Sequence, residues 1–319
     1  MQAWYRDSWT RLLQPLAWIF KRVSERRRRQ DLARQVRVNA PVIIVGNITV
    51  GGTGKTPLVL MLLAQLQRQG WRPGVVSRGY GGRARHYPVL VDQMSAASEV
   101  GDEPLLIASR SACPVVVDPD RVKAAQYLLA ISDCNIVVSD DGLQHYRLAR
   151  DIEIAVVDGQ RRFGNGHLLP AGPLREEVSR LQAVDFVVCN GEACAGEYEM
   201  QLAAVQWVNV ADSNKTLAPA GFSGQAVHAV AGIGNPTRFF TYLQQLDCRI
   251  TEHAFADHHR FCARDLEFGD ALPVLMTEKD AVKCRRFAKP NHWYLQIHAE
   301  LSAEFMIKFF EKLANVKQE

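Results

Sequence analysis

The sequence predicts an α/β fold, with a mostly parallel sheet and helices on both of its faces. From residue 41 onward, short apolar runs alternate with longer stretches of helical character. This alternation is typical of strand–helix–strand units that build a parallel sheet. Turns rich in glycine and arginine interrupt it at residues 78–83 and 163–173. Because open α/β sheets bind ligands in the loops at strand ends, we expect ligands at these turns.

The apolar runs give the predicted elements in chain order. Strands are predicted at residues 42–46, 74–77, 114–117, 136–139, 152–157, 184–189, 227–231, 274–276 and 293–297. Helices are predicted at residues 55–69, 236–246 and 301–314, and the first should be buried because it is apolar almost all round. The predicted domains are an N-terminal amphipathic helix (1–37), a first α/β domain (38–190), a linker with paired strands (191–220) and a smaller C-terminal α/β domain (221–319).

The composition is that of a soluble globular protein, with 47% hydrophobic and 23% charged residues. The seven cysteines form no closely spaced pairs of the metal-binding kind, which predicts reduced thiols in a cytoplasmic protein. Positive charge is concentrated in residues 1–37, whereas the rest of the chain is slightly acidic. We expect no nucleic-acid partner, because the body has no basic groove interleaved with aromatic residues.

Residues 1–37 join an aromatic, apolar stretch to the basic tract Arg26–Arg29. The apolar stretch is too interrupted to span a membrane and is not arranged as a signal peptide. Aromatic rings followed by arginines favour a helix lying in the membrane surface. The alternative is a helix that packs its aromatic face on the protein's own core. The aromatic residues on which the anchor depends are Trp4, Tyr5, Trp9 and Trp18.

A glycine-rich loop between a predicted strand and a predicted helix is the strongest motif. Its glycines allow backbone N–H groups to surround phosphate oxygens, Lys55 reaches the β- and γ-phosphates, and the Thr56 hydroxyl binds Mg²⁺. The usual first glycine of such a P-loop is replaced by Thr49, and Val50 stands where one ATPase variant carries a lysine. The loop predicts a P-loop NTPase-like fold that uses ATP and Mg²⁺. Its predicted nucleotide-binding residues are Thr49, Val50, Gly51, Gly52, Thr53, Gly54, Lys55 and Thr56.

Acidic residues follow two further predicted elements. Asp140 and Asp141 end a buried strand, where P-loop proteins keep the acid that holds Mg²⁺; the alternative is a plain Asp-Gly turn. Asp102 precedes a helix, where a carboxylate accepts a proton from a substrate hydroxyl or merely caps the helix.

The remaining candidates lie in polar loops. Asp257, His258 and His259 are adjacent, which favours either catalysis or a metal, although further zinc ligands are missing. Arg175 and Glu176 are placed to meet phosphate and metal. Residues suited to gripping a phosphorylated sugar are Arg78, Tyr80 and Arg121.

Taken together and in order, these motifs resemble the tetraacyldisaccharide 4'-kinase, or lipid A 4'-kinase, family. The matching segments are residues 46–57, 77–81, 101–104, 140–145, 169–176, 232–236, 257–259 and 277–280, which cover nearly the whole chain. The resemblance implies phosphoryl transfer from ATP to the 4'-hydroxyl of a tetraacylated glucosamine disaccharide 1-phosphate. It also implies a peripheral protein on the cytoplasmic face of the bacterial inner membrane.

The resemblance further implies the roles of individual residues. Asp102 is the general base, tuned by His258, and this choice of histidine depends on its being the first of the pair in the motif. The implied metal ligands are Thr56, Asp141 or Asp140, and Glu176.

Three other functions remain open at this stage. A GTPase or metal-chaperone switch would need an Asn-Lys-x-Asp motif, and residues 277–280 have the wrong spacing. A kinase of a soluble metabolite would not need the N-terminal anchor. A nucleotide-gated membrane ATPase or scaffold would not need a base.

Overall fold

The computed structural model describes residue 4, residues 9–92 and residues 94–316. By their internal contacts, the residues form two compact units. Unit 1 comprises Met1–Arg78, Cys113–Gln201 and Ala299–Glu319, and unit 2 comprises Gly79–Ala112 and Leu202–His298. The predicted domains divide the chain into continuous segments and stay predictions. Tyr5, part of the predicted anchor, lies outside the described residues.

The described strands number thirteen. They are β1 (Val42–Gly46), β2 (Pro73–Ser77), β3 (Val89–Val91), β4 (Val115–Val117), β5 (Ile136–Asp140), β6 (Ile152–Asp158), β7 (Phe186–Asn190), β8 (Tyr198–Asn209), β9 (Thr216–Leu217), β10 (Ala226–Ala231), β11 (Arg249–Ala254), β12 (Val274–Thr277) and β13 (His292–Leu301).

The described α-helices number eight. They are α1 (Gln14–Ala33), α2 (Lys55–Arg68), α3 (Ala97–Val100), α4 (Asp102–Ser111), α5 (Arg121–Ile131), α6 (Pro236–Gln245), α7 (Glu278–Cys284) and α8 (Ala303–Val316). The sequence did not predict α5, α7 or β11, and placed α4 only as a helix following Asp102.

Unit 1 is built on a parallel sheet, as predicted. β1 lies between β5 and β6, with Val45 opposite Asp140 on one side and Ile154 on the other. β2 and β4 extend the sheet beyond β5, and β7 and the start of β8 extend it beyond β6. The carboxyl ends of parallel neighbours meet at one edge, so the segments that follow β1 and β5 lie side by side.

The burial of the central strands explains why they appear in the sequence as continuous apolar runs. β1, β5 and β6 are buried along their whole length, so they lack the alternation of a half-exposed strand. Helix α2 buries one face, formed by Leu58, Val59, Leu62, Leu63 and Leu66, while Ala64 and its last residues are exposed. The prediction of burial for α2 therefore holds for that face and was too broad for the rest.

Helix α8 completes the core of unit 1. Phe305 and Phe309 are fully buried. The Phe305 ring lies 5.4 Å from Phe186 in β7 and 5.3 Å from Tyr198 in β8, both edge to face. Helix α8 thus packs on β7 and β8, which lie about a hundred residues before it in the sequence.

Unit 2 also contains parallel strands. β10 lies between β11 and β12, and β13 follows β12. Within residues 202–217, β8 and β9 form an antiparallel pair, so the predicted linker does contain paired strands. Helix α6 buries Phe239, Phe240 and Leu243 against this sheet, because these residues share one helix face.

Helix α1 carries an apolar stripe that faces solvent. Leu16, Ile19 and Val23 recur every third or fourth residue and are each at least half exposed. Leu12, Trp9 and Trp18 are exposed beside them, and Ala17 is the buried residue of this helix. Across residues 9–92 and 94–316, the structure contains no helix whose apolar stretch could cross a bilayer.

Candidate active site

The phosphate-binding loop follows β1 and opens α2, as predicted. Lys55 is the first residue of α2, and its Nζ lies 3.3 Å from Oδ1 of Asn47 and 3.4 Å from Oδ1 of Asp141. Gly54 has a positive φ of 92°, and a Cβ at this position would collide with the amide of Asn190. Glycine is therefore required here by conformation and by space.

The loop carrying Arg175 and Glu176 packs directly on the phosphate-binding loop. The N–H of Val50 donates to the carbonyl of Pro173 at 2.8 Å, and the N–H of Arg175 donates to the carbonyl of Ile48 at 2.7 Å. These backbone bonds bring the predicted phosphate and metal residues beside the loop, although more than a hundred residues separate them in sequence.

Asp140 and Asp141 occupy different environments. Asp140 is the last residue of β5 and is fully buried. Asp141 has a positive φ of 50°, which turns it toward Lys55 and toward Arg175, whose Nη1 lies 3.0 Å from its Oδ2. Burial alone would raise the pKa of Asp141, but the charges of Lys55 and Arg175 outweigh it and hold the pKa well below its ordinary value.

Arg121 lies beneath this strand end. Its guanidinium is 1% exposed and donates to the carbonyls of Asp118 (3.0 Å) and Asp140 (3.5 Å). Burial lowers the pKa of Arg121 to about 10, against the opposing charges of Asp141 and Asp140. Its predicted contact with substrate stays a prediction. In the structure, its guanidinium is turned to the protein interior.

Glu176 is held by two residues that the sequence did not single out. One carboxylate oxygen accepts from Nε2 of Gln144 at 2.8 Å, and the other accepts from the hydroxyl of Tyr146. Gln144 also donates to the carbonyl of Asn47 at 3.1 Å. Gln144 lies inside the matching segment 140–145, which was the available signal, whereas nothing in the sequence pointed to Tyr146.

The donors around the phosphate-binding loop fit Mg²⁺. The predicted ligands are the hydroxyl of Thr56 and the carboxylates of Asp140, Asp141 and Glu176, all hard oxygen ligands. In the part of the chain that the structure describes, no three His, Cys, Asp or Glu side chains are grouped to hold a metal on their own. Mg²⁺ is usually bound by one or two carboxylates together with water and substrate phosphates, so this sparse set suits it.

Asp102 and His258 are paired in unit 2. Asp102 begins α4 and is 4% exposed; Nδ1–H of His258 donates to its carboxylate at 3.0 and 3.2 Å. Burial would raise the pKa of Asp102, but the hydrogen bond from His258 and the charges of Lys279 and Lys283 hold it below its ordinary value. Burial would lower the pKa of His258, but its bond to Asp102 raises it.

The neighbouring histidine has a different partner. Nε2 of His259 lies 3.1 Å from Asp265, whereas His258 has a positive φ of 59° and turns toward Asp102. The ring of the predicted substrate residue Tyr80 lies 4.9 Å from the ring of His258, and Tyr80 is 61% exposed. Unit 2 therefore groups a carboxylate, an imidazole and an accessible aromatic ring.

Arg78 is the last residue of the first segment of unit 1, and its side chain is exposed. Its charge acts on His145: burial, then the charges of Arg121 and Arg78, lower the pKa of His145 to about 3. The charge of Arg78 therefore acts on His145, four residues after Asp141.

Replacing His258 with glutamine should move the acid limb of the kcat/KM profile to higher pH. The hydrogen bond from His258 is the largest of the causes that lower the Asp102 pKa, and burial, which raises it, would then be less opposed. Asp102 would accept a proton at a higher pH and, in its predicted role as base, would stop acting sooner on acidification.

The measurement is kcat/KM against pH for the wild type, His258→Gln and His259→Gln. His259 pairs with Asp265, so His259→Gln is the matched control and should leave the acid limb in place. An unmoved limb in His258→Gln, or an equal shift in both variants, would contradict the assigned pairing.

Comparison with known proteins gives one consistent result. A family model described as Tetraacyldisaccharide-1-P 4'-kinase matches residues 9–315. Relatives named tetraacyldisaccharide 4'-kinase include that of Aeromonas hydrophila subsp. hydrophila, 52% identical over 97% of this chain and 94% of the relative. That of Nitrosococcus oceani is 51% identical over 96% of this chain and 91% of the relative.

A solved structure is similar across the chain as well. It is the crystal structure of the "apo" form of LpxK from Aquifex aeolicus in complex with ATP. The TM-score is 0.79 with 25% sequence identity, and the match covers 96% of this chain and 99% of the other.

Proposed function

The chain belongs to the tetraacyldisaccharide-1-P 4'-kinase family, and from this premise we propose how its residues carry out the reaction. It is a lipid kinase that uses ATP to phosphorylate the 4'-hydroxyl of a tetraacylated glucosamine disaccharide 1-phosphate, in lipid A biosynthesis. The observation that carries this assignment is the family match from residue 9 to residue 315.

Unit 1 binds the phosphates of ATP in this proposal. Residues 49–56 surround the phosphates with backbone N–H groups at the start of α2, where the helix dipole favours negative charge. Lys55 neutralises charge on the transferred phosphoryl group, and Arg175 adds a second cation. Mg²⁺ would be held by Thr56, Asp140 or Asp141, and Glu176, and when bound it would neutralise further phosphate charge.

Asp102 takes the proton of the acceptor in this proposal. As the 4'-oxygen forms its bond to the γ-phosphorus, the bond from that phosphorus to ADP breaks and the hydroxyl proton passes to the Asp102 carboxylate. A carboxylate at hydrogen-bond distance is useful because a sugar hydroxyl is a poor nucleophile. His258 holds the carboxylate through the 3.0 Å hydrogen bond, and we assign Arg78 and Tyr80 to the phosphorylated sugar.

The direct test is ATP consumption by the purified protein with and without the tetraacylated disaccharide 1-phosphate. Consumption should depend on the lipid and should yield the 4'-phosphorylated product by mass spectrometry. A lipid-independent rate of equal size would point to a gated ATPase, and turnover of a soluble sugar instead would point to a metabolite kinase.

We also propose that α1 holds the protein on the cytoplasmic face of the inner membrane. The support is the exposed apolar stripe of Leu16, Ile19 and Val23, with Trp18 59% exposed beside it. Had the helix packed this face on the core, these side chains would be covered. Trp4 differs from the other aromatic residues, because its Nε1 donates to the carbonyl of Pro170 at 3.1 Å.

Two variants separate the electrostatic and the apolar contributions to the membrane binding of such a helix. Replacing Arg26–Arg29 with Gln should weaken binding to anionic vesicles by roughly 1 kcal/mol per charge at most, and salt should weaken the wild type in the same way. Replacing Trp9 and Trp18 with Ser should also weaken binding to neutral detergent micelles, because that contribution is apolar burial.

Co-sedimentation with vesicles and a melting curve on the same proteins measure both effects. Trp4→Ser is the control that should change melting more than binding, since Trp4 bonds to the protein itself. Negligible vesicle binding by the wild type, together with a lower melting temperature for the Trp9 and Trp18 variant, would show that α1 is a structural helix.

A further inference from the structure

Lys279 lies at the centre of a cluster of charged side chains around the proposed base. Its Nζ donates to Oε1 of Glu103 at 3.0 Å, and lies 3.9 Å from Oδ2 of Asp102 and 3.8 Å from Oδ1 of Asp257. Its side chain is 18% exposed. Burial would lower the pKa of Lys279, but these three carboxylates outweigh it and raise the pKa. Lys279 therefore carries a full positive charge among them.

The position of Lys279 is fixed at the start of its helix. At the start of α7, the N–H of Asp280 donates to the hydroxyl of Thr277, which caps the helix. Nη1 of Arg110 in α4 lies 2.7 Å from both carboxylate oxygens of Glu278 in α7. The two helices that carry Asp102 and Lys279 are thus tied together beside the charge cluster.

Lys283 does not duplicate this role. It lies one turn after Lys279 on the same face of α7, and its Nζ is also 3.9 Å from Asp102. However, the same ammonium group lies 2.7 Å from Oδ1 of Asp280. Lys283 therefore pairs more closely with a carboxylate outside the cluster, whereas Lys279 is the cation that Asp102, Glu103 and Asp257 share.

His258 completes the cluster from the other side. Its Nδ1 faces Asp102, and its Nε2 lies 3.8 Å from Asp257. The ring of Tyr80 covers it at 4.9 Å. Lys279 and His258 thus contact the same two carboxylates, so any change in charge at one is felt by the other.

We propose that Lys279 is a positioning residue for the phosphoryl transfer. Its ammonium group gathers the three carboxylates beside His258 and keeps the carboxylate of Asp102 ionised, so that this carboxylate can receive the acceptor proton. The inference rests on the proposed function, in which Asp102 is the base. It gives a role to the segment 277–280, which matched the family in sequence but had no assigned chemistry.

The experiment compares Lys279→Met, which keeps the length of the side chain without its charge, with Lys279→Arg. In Lys279→Met the acid limb of kcat/KM should move up by about one pH unit or more, because a cation within a few ångströms lowers a carboxylate pKa by that amount. Plateau kcat should also fall, with KM for ATP unchanged. Lys279→Arg should restore the acid limb, and Lys289→Met, which removes an exposed ion pair with Glu267, should match the wild type.

An NMR titration of His258 provides a readout that does not depend on catalysis. The charge of Lys279 lowers the His258 pKa, and the bond to Asp102 raises it. With the pair intact and the charge removed, the His258 pKa in Lys279→Met should therefore rise. If Lys279 only packs the site, its loss would break the pair and the His258 pKa would fall toward its ordinary value.

These outcomes separate the inference from the function on which it rests. A His258 pKa that falls or stays, or an unmoved acid limb in an active enzyme, would overturn the role of Lys279 and leave the kinase assignment standing. Absence of lipid phosphorylation by the wild type would overturn the kinase assignment, while the His258 titration would still decide whether Lys279 holds the cluster. If Lys279→Met does not fold, Lys279→Gln, which also removes the charge, allows the same titration.

Discussion

Lys55→Ala should abolish lipid phosphorylation while the protein remains folded. The ammonium group of Lys55 lies between Asn47 and Asp141 at the start of α2, and its proposed task is to neutralise charge that develops on the transferred phosphoryl group. Loss of one such preorganised group lowers kcat by about 10²–10³-fold or more. The side chain lies outside the apolar core, and Arg175 still pairs with Asp141 at 3.0 Å, so the variant should melt as a folded protein.

Turnover of the lipid acceptor and thermal melting are measured together. Lys123→Ala, which removes an exposed lysine from α5 of the same unit, is the matched control and should keep full activity. Turnover within about tenfold of the wild type in a folded Lys55→Ala protein would remove the phosphate-binding loop from the mechanism.

Asp102→Asn should lower kcat by about 10²–10⁴-fold, the usual range for loss of a general base, with ATP affinity almost unchanged. Asparagine has the same shape as aspartate and can accept a hydrogen bond from His258, but it cannot take up the acceptor proton. The double variant with His258→Ala should lose less than the sum of the two single effects, because the residues act as one unit.

Asp247→Asn is the matched control for this change. Asp247 is exposed, lies in the same unit, and has a positive φ of 62°, a conformation that asparagine adopts readily. A collapse of ATP affinity in Asp102→Asn, with kcat preserved at saturating ATP, would show that Asp102 serves the nucleotide and is not the base.

The sequence predicted the local parts of this protein well. The fully buried strands of unit 1 are continuous apolar runs, and a residue spacing that only a P-loop needs placed Lys55 and Thr56 at the start of α2. Both features depend on neighbours in the chain, so both are visible without a structure. The parallel arrangement followed from the alternation of runs and was confirmed.

The contacts between distant residues could not be predicted in the same way. The Asp102–His258 bond joins residues 156 positions apart, and the choice between His258 and His259 depends on a positive φ at His258 that no spacing rule gives. Tyr146 bonds to Glu176 because two loops converge, and its own neighbourhood in sequence carries no sign of it. The grouping of Gly79–Ala112 with Leu202–His298 could not be predicted from the sequence either.

The place of α8 in unit 1 has a consequence for synthesis of the protein. Chains emerge from the ribosome N-terminus first and fold as whole units, yet unit 1 needs Phe305 and Phe309 to cover Phe186. While residues 202–298 are being translated, the face of β7 that later packs against α8 stays uncovered and prone to misassembly. The phosphate-binding unit is completed only after residues 202–298 of unit 2 have been made. A truncation that removes α8 should therefore expose Phe186 in β7.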